Sequence, residues 1–231
     1  MRDLLRARLR QRPNPVRMPV DDAELPERFR GRVALPRGAA EGGRRLPVID
    51  LGASVFAPEE ASEGRVFTRD YRMAVSQRDA LATDTGEIEL ASALDARMRS
   101  LLGRSLRLRS VAAGSCAGCE AELTALGNVV FDMARFGIQF VASPRHADGV
   151  VISGVVNANM RDALEKTYEA VPDPKVVIAV GACAISGGVF HDSAQVVGIP
   201  DSIPVDLWIP GCPPHPLTIL DGLLRLLGRI E

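Results

Sequence analysis

Two long apolar runs in the second half of the chain limit the folds that it can adopt. Residues 149–156 read GVVISGVV and residues 175–182 read KVVIAVGA. Apolar runs without alternation are typical of strands buried on both faces, as in a parallel sheet covered by helices. Because a segment with helical periodicity separates the two runs, the sequence predicts an α/β domain.

The neighbouring segments extend this pattern on both sides. The second half of the chain alternates further predicted strands, at 106–114, 138–143 and 205–211, with predicted helices at 120–137, 159–171 and 215–228. Asn157 or Asn159 is placed to cap the helix at 159–171, because asparagine favours that position. We therefore expect a parallel sheet flanked by helices over residues 105–231.

The first hundred residues have a different composition. Residues 1–48 are rich in Arg, Pro and Gly, and we interpret them as an N-terminal arm. Such an arm is either a solvated terminus or a segment that docks on a partner subunit. Residues 49–104 mix short apolar runs with charges and end in a predicted helix at 89–103, so we treat them as a small extension.

Charge and hydropathy exclude several classes of function. The formal net charge is −1, so no overall field favours nucleic acid. No run reaches the roughly 18 apolar residues that a membrane-spanning helix needs. The N-terminus lacks the apolar core of a secretory signal. We therefore expect a cytoplasmic protein whose thiols stay reduced.

The four cysteines all follow predicted strands. Cys116 and Cys119 follow the strand at 106–114, Cys183 follows the run at 175–182, and Cys212 follows the last strand. The carboxyl ends of parallel strands meet at one edge of a sheet, where open α/β sheets bind their ligands. The chain contains no other cysteine. This placement predicts a metal or redox group at that edge.

Residue types alone leave three interpretations of these cysteines open. Zinc sites mostly use two close cysteine pairs, whereas here only the first pair is close. Gly181 and Gly211 precede the two single cysteines and would let backbone N–H groups approach the sulfurs of a cluster. Pro213 directly follows Cys212, as in bacterial iron–sulfur motifs, and a helix that begins near Cys119 would favour a thiolate there. A [4Fe–4S] cluster is favoured over zinc and over a thiol redox or structural role.

Four motifs together resemble one protein family. GSCAGCE, FVASPRHADGVVISGVV, VGACAISGGVF and IPGCPP occur in the order found in small electron-transfer subunits. These subunits are shared by energy-converting [NiFe] hydrogenases of the formate hydrogenlyase type and by NADH-quinone oxidoreductase, where they form its B subunit. The resemblance covers about residues 106–230. It implies a flavodoxin-like α/β domain that carries one [4Fe–4S] cluster, with the ligands Cys116, Cys119, Cys183 and Cys212.

The first motif bears on the branch of this family. The quinone-reducing branch has two adjacent cysteines there, whereas C-A-G-C followed by Glu120 is similar to the hydrogenase small subunits. The resemblance implies a large partner subunit that holds a NiFe centre, or a quinone site in the alternative branch. It also implies a ferredoxin-type electron-donor subunit and indirect contact with membrane subunits. The chain would then lie peripherally on the inner face of the cell membrane.

Further residues near the predicted edge have two interpretations each. The resemblance to hydrogenase small subunits implies that Glu120 is a carboxylate that relays protons. Alternatively, Glu120 is an acidic residue that is stabilised by a helix N-terminus. Arg145 could offset the charge of the cluster or pair with a partner carboxylate, and His146 could titrate with cluster reduction. Ser153, Gly154 and Asn157 lie at or just after the end of the strand predicted within 149–156, where they line the same edge or serve turns and capping.

The extension carries a second, weaker resemblance. Residues 48–74 are similar to the second half of a bacterial two-cluster ferredoxin, but the stretch ASVFAPEEASEG contains no cysteine. The alternatives are a ferredoxin remnant that has lost its cluster and an ordinary extension with a few strands.

Overall fold

The described residues of the N-terminal part form short strands, a 3₁₀-helix at Arg78–Leu81 and one α-helix. The structure, a computed structural model, describes residues 15–20, 25–27, 29–34, 46–47, 66–83, 87–102 and 105–230. Strand β1 (Val33–Ala34) pairs antiparallel with β3 (Val66–Phe67), and β2 (Leu46–Pro47) pairs antiparallel with β4 (Ala82–Thr83). Helix α1 spans Ala96–Leu102. The cysteine-free stretch at 53–64 lies outside the described residues, so the ferredoxin resemblance stays a prediction.

Residues 105–230 form an α/β unit around a parallel sheet of five strands. The strands are β5 (Leu106–Ala112), β6 (Ile138–Phe140), β7 (Gly149–Ser153), β8 (Val176–Val180) and β9 (Leu207–Ile209). Their order across the sheet is β6-β5-β7-β8-β9, and every neighbouring pair is parallel. This is the flavodoxin-like order, which confirms the expected fold class.

The central strands are buried as their sequences predict. All five residues of β7 and all five of β8 are buried, because helices cover both faces of the sheet. The helices of this unit are α2 (Gly118–Ala125), α3 (Ala158–Ala170), α4 (Ala182–Ser186) and α5 (Pro216–Leu226). Helices α2 and α5 pack on one face, and Leu164 of α3 packs on the other.

The first helix of the α/β unit is shorter than its sequence predicts. The sequence predicts a helix over 120–137, but α2 ends at Ala125 and a separate 3₁₀-helix spans Met133–Phe136. The side chain of Asn128 accepts hydrogen bonds from the N–H groups of Val130 and Phe131, at 2.8 and 3.0 Å. An Asn side chain that bonds its own backbone in this way favours a turn over a helix.

The extension packs directly against the α/β unit. Val75 and Trp208 exchange two backbone hydrogen bonds of 2.9 and 3.0 Å beside β9. The N–H of Leu94 donates to the carbonyl of Leu226 at the end of α5 (2.9 Å). All residues of α5 are buried, because the sheet covers one side and residues of the extension cover the other.

None of the helices within the described ranges combines the length and apolar character needed to cross a membrane.

Candidate functional site

The four cysteines lie in loops that leave the same edge of the sheet. Cys116 and Cys119 follow β5, Cys183 follows β8, and Cys212 follows β9. Cys119 is buried, Cys183 and Cys212 are half-buried, and Cys116 is exposed, and all four thiols are free. The sheet therefore brings three separate segments to one edge, as the sequence predicts.

Glycines allow the cysteine loops to approach one another. A Cβ atom on Gly181 would lie 2.5 Å from the Sγ of Cys119, which belongs to a different loop. A Cβ atom on Gly188 would lie 3.1 Å from the Sγ of Cys183. Gly181 also has a φ of 91°, which disfavours other residues. The glycine predicted beside Cys183 is thus a point of contact between two cysteine loops.

The loop that holds Cys212 packs against both other loops. The carbonyl of Gly211 accepts a hydrogen bond from the N–H of Ala182 (2.8 Å), next to Cys183. The ring of Pro213 lies 3.7 Å from the place where a Cβ of Gly118 would stand, between Cys116 and Cys119. Gly211 and Pro213, both predicted near the site, therefore join its three segments.

Burial and mutual proximity change the acidity of these thiols. Burial raises the pKa of Cys119 far above its usual value, and the charges of Glu120 and the other three cysteines raise it further. Burial, Cys212, Cys116 and Glu120 raise the pKa of Cys183 to about 11. The start of α2 favours a thiolate at Cys119, as the sequence predicts, but burial outweighs that effect. Thiols from different loops are thus near enough to affect the protonation of Cys119, Cys183 and Cys212.

The thiols are not gathered around one point. Within the described part of the chain, no group of three or more His, Cys, Asp or Glu side chains is placed to hold a single metal ion. Thiolates on one zinc ion lie close together, because each Zn–S bond is only about 2.3 Å long. The four thiols thus share an edge without forming a preformed single-ion site.

Glu120 is held by two serine hydroxyls. Its Oε1 accepts a hydrogen bond from the Oγ of Ser115 (2.8 Å) and one from the Oγ of Ser153 (2.5 Å). Ser115 is exposed, whereas Ser153 at the end of β7 has no exposed surface. The Oε2 atom of Glu120 is buried and accepts no hydrogen bond from the described residues. The carboxylate is therefore fixed beside Cys119.

The loop after β7 supports the loop after β5. The N–H of Asn157 donates to the carbonyl of Ala113 (3.1 Å), while its side chain accepts from the N–H of Met160 and caps α3. The capping prediction is confirmed for Asn157. A Cβ on Gly154 would lie 2.7 Å from the carbonyl of Gly114, so the two loops are in direct backbone contact.

Arg145 and His146 are placed less centrally than the cysteines. Both lie in a 3₁₀-helix at Pro144–His146, after β6, and both are exposed. No side-chain hydrogen bond or ion pair connects either residue to the cysteine loops in the described ranges. Their predicted roles toward the cluster stay predictions.

The arm and the extension together form one wall of a cavity beside Cys212. The cavity has a volume of about 420 Å³ and is lined by Phe29, Met73, Glu122, Cys212 and Pro213, among others. Burial raises the pKa of Glu122. His215, also at this cavity, caps α5, and its ring meets those of Phe29 and Phe131 edge to face. Burial lowers the pKa of His215.

Sequence reasoning missed two features of this site. It placed Ser153 at the edge but did not connect it to Glu120, although Ser153 is the one polar residue within the apolar run at 149–153. A lone hydroxyl in a buried strand needs a partner, and this was the available signal. It also missed Phe29, for which the sequence of the arm gives no periodic signal.

Comparison with known proteins identifies several relatives. A family model described as "NADH ubiquinone oxidoreductase, 20 Kd subunit" matches residues 116–226. Formate hydrogenlyase subunit 7 of Escherichia coli (strain K12) is 43% identical over 144 residues, which are 62% of this chain. The B subunit of the NADH-quinone oxidoreductase of Citrifermentans bemidjiense is 49% identical over 112 residues, which are 48% of this chain.

Two further proteins match over a similar range. The protein named probable membrane-bound hydrogenase subunit mbhJ of Pyrococcus furiosus is 41% identical over 136 residues, covering 58% of this chain and 81% of that protein. A chain in the structure of the membrane-bound sulfane sulfur reductase, an archaeal respiratory membrane complex, is 34% identical. It aligns with a TM-score of 0.50 over 58% of this chain and 75% of that chain.

The matches do not extend over the whole length of the first two relatives. The chain spans 56% of the length of the E. coli protein and 66% of the length of the C. bemidjiense protein.

Proposed function

The chain belongs to the NADH ubiquinone oxidoreductase 20 Kd subunit family, and from that membership we propose that it is an electron-transfer subunit of a hydrogenase-related complex. Relatives in this family are subunits of oxidoreductase complexes. The chain would carry one [4Fe–4S] cluster at the edge of its sheet. The observation that carries the proposal is the convergence of all four cysteines, from three loops, at that edge.

The site fits such a cluster better than it fits the alternatives. A [4Fe–4S] cluster takes one thiolate at each iron, and the four cysteines supply that number of ligands from three loops. Burial raises the pKa of Cys119, Cys183 and Cys212, so these thiols would give up their protons when a metal binds. The close approach of Gly181 to Cys119 also leaves backbone, rather than a side chain, beside the sulfur.

The residues of this chain would hold and shield the group. Cys116, Cys119, Cys183 and Cys212 would be its ligands, and when bound it would supply reversible one-electron transfer. Cys119 and the loop of Gly181 bury one side of the site, whereas Cys116 leaves another side exposed. An exposed ligand next to a buried one suits a group that exchanges electrons with a partner across an interface.

Partners and location follow from the same proposal. We infer a large catalytic subunit packed against the exposed side of Cys116, and a ferredoxin-type subunit that delivers electrons. Relatives are named as membrane-bound hydrogenase or respiratory membrane-complex proteins. We therefore infer attachment to the inner face of the membrane through partner subunits. In this proposal residues 105–231 are the cluster domain, residues 49–104 are a small extension, and residues 1–48 are an arm.

A second candidate function has one observation in its favour. The cavity of about 420 Å³ has a mainly apolar lining, and beside the thiol of Cys212 it contains the ionisable side chains of Arg30, Glu122 and His215. A quinone ring next to the cluster could occupy such a space, as the quinone-reducing alternative requires. The spacing of Cys116 and Cys119 favours the hydrogenase-related branch, so this alternative ranks second.

The test is metal analysis of anaerobically purified protein. We expect about four iron and four acid-labile sulfide per chain, and an EPR signal of spin one-half after reduction with dithionite. Cys183→Ser is expected to lose this signal. Ser186→Ala is the matched control, because Ser186 lies in the same helix and its hydroxyl bonds only backbone groups among the described residues, donating to the carbonyl of Ala182 and accepting weakly from the N–H of Gly188; it should keep the iron.

Zinc in place of iron, also after reconstitution, would refute the electron-transfer proposal. If the cluster is present, purification of the complex separates the two candidate functions. Nickel in the large partner subunit supports the hydrogenase-related function, and reduction of added quinone without nickel supports the alternative.

A further inference from the structure

A buried serine controls the position of the carboxylate next to the cysteines. We propose that Ser153 is a positioning residue that fixes Glu120 beside the iron–sulfur site and thereby sets the reduction potential of that site. This inference rests on the proposed function. It concerns a fixed charge and the hydroxyl that holds it.

The two serines that donate hydrogen bonds to Glu120 differ in their exposure to solvent. Ser115 and Ser153 both donate to Oε1, but Ser115 is exposed and Ser153 is completely buried. The bond from Ser153 is the shorter of the two, at 2.5 Å against 2.8 Å. Water can replace the exposed hydroxyl of Ser115, whereas solvent does not reach the buried hydroxyl of Ser153.

Glu120 is the closer of the two acceptors near the hydroxyl of Ser153. Its other neighbour is the carbonyl of Val111 at 3.4 Å, which is a weak contact. A hydroxyl has one hydrogen to donate, so the short contact to Glu120 takes it. Ser115 is likewise committed, because its oxygen accepts from the N–H of Ala117 while its hydrogen goes to Glu120.

The carboxylate is close enough to the thiols to affect them. Its charge contributes to the raised pKa of both Cys119 and Cys183, which belong to different loops. Negative charge beside an iron–sulfur cluster opposes the arrival of an electron, so it lowers the reduction potential. Without Ser153, the carboxylate would lose its buried donor and turn away from the site toward water. This displacement of negative charge would raise the potential.

The test is a comparison of midpoint potentials in the anaerobically purified complex, measured by EPR during a redox titration. We expect Glu120→Gln to raise the potential most, Ser153→Ala to raise it less, and Ser115→Ala to leave it nearly unchanged. Ser153→Thr keeps a hydroxyl and should return the potential toward the wild-type value. In the double variant Glu120→Gln/Ser153→Ala, the serine change should add no further shift.

Each other outcome overturns the inference. An equal effect of Ser153→Ala with and without Glu120 would mean that the serine acts independently of the carboxylate. No effect of Ser153→Ala, or loss of iron from it while Glu120→Gln keeps its iron, would also contradict positioning. Absence of iron from the wild-type protein would instead refute the proposed function, so the two failures are distinguishable.

Discussion

The α/β unit and the extension obtain their structures in different ways. In residues 105–230, continuous apolar runs form fully buried strands, and every strand has a neighbour in one sheet. In the arm and the extension, the described strands have two residues each. Buried residues of the extension, such as Met73 and Ala74, are surrounded partly by residues of the α/β unit. The comparison teaches that the extension depends on a surface that another part of the chain provides.

The largest predicted loss of stability tests whether the two regions unfold together. Ile178→Ala in β8 should lower the free energy of unfolding by about 4 kcal/mol, because it removes a completely buried side chain. Met73→Ala in the extension should lower it by about 2–3 kcal/mol, because the cavity lies at a surface that can relax. Urea unfolding of the full chain would show one transition for both variants. A separate early transition in Met73→Ala would mean that the extension is only weakly docked.

A smaller effect concerns one anchor of the arm. The hydroxyl of Tyr71 accepts a hydrogen bond from the N–H of Val20 (2.9 Å) and donates one to its carbonyl (3.0 Å). Tyr71→Phe removes both and should cost about 1 kcal/mol. Limited proteolysis should then cleave near residues 15–20 sooner, while Tyr168→Phe, whose hydroxyl lacks such bonds in the described residues, serves as the control. Equal cleavage rates in the two variants would contradict this anchoring role.

The smallest predicted effects concern how the stability of each region depends on pH. Burial alone would raise the pKa of Asp70 in the extension, but hydrogen bonds and charge from Arg72, with Arg32, bring it below 3.8. Its stabilising contribution is thus present above pH 3.8 and is lost as the pH falls through the lower folded value. Burial raises the pKa of Asp206 beside β9, despite a hydrogen bond from the N–H of Val177. Its contribution is therefore more favourable below pH 3.8 and falls as the pH rises through the higher folded value.

Two variants measure these opposite slopes. Asp70→Asn should reduce the loss of stability in acid, whereas Asp206→Asn should remove a loss that occurs as the pH rises toward neutral. Urea midpoints recorded below pH 3.8 and at neutral pH would reveal both changes against wild type. If both substitutions changed the pH dependence of stability in the same direction relative to wild type, burial and Arg72 would not act as described.

The sequence was sufficient for the sheet and for the cysteine edge. The runs at 149–156 and 175–182 are apolar on both faces, which favours central strands, and the cysteines follow strands in each case. The predicted helix at 120–137 is wrong because periodic spacing continues through Asn128, whose side chain bonds its own backbone. Local turn chemistry of this kind competes with periodicity and is not visible in the spacing of apolar residues.

Contacts between segments that are distant in the chain could not be predicted from the sequence. Phe29 meets His215, and Ser153 meets Glu120, across separations of 186 and 33 residues. Periodicity reports which face of an element is buried, but it carries no information on which side chains share that space. The position of Ser153 was predictable, whereas its partner was not.

The burial of α5 has a consequence for biosynthesis. Residues 15–20 and 66–83 leave the ribosome long before α5, yet Tyr71 and Leu25 complete their packing only against Leu217 of that helix. The apolar side chains of these early segments therefore stay exposed until about two hundred residues have been synthesised. The packing of these early segments is therefore completed only when the helix at Pro216–Leu226 has been made.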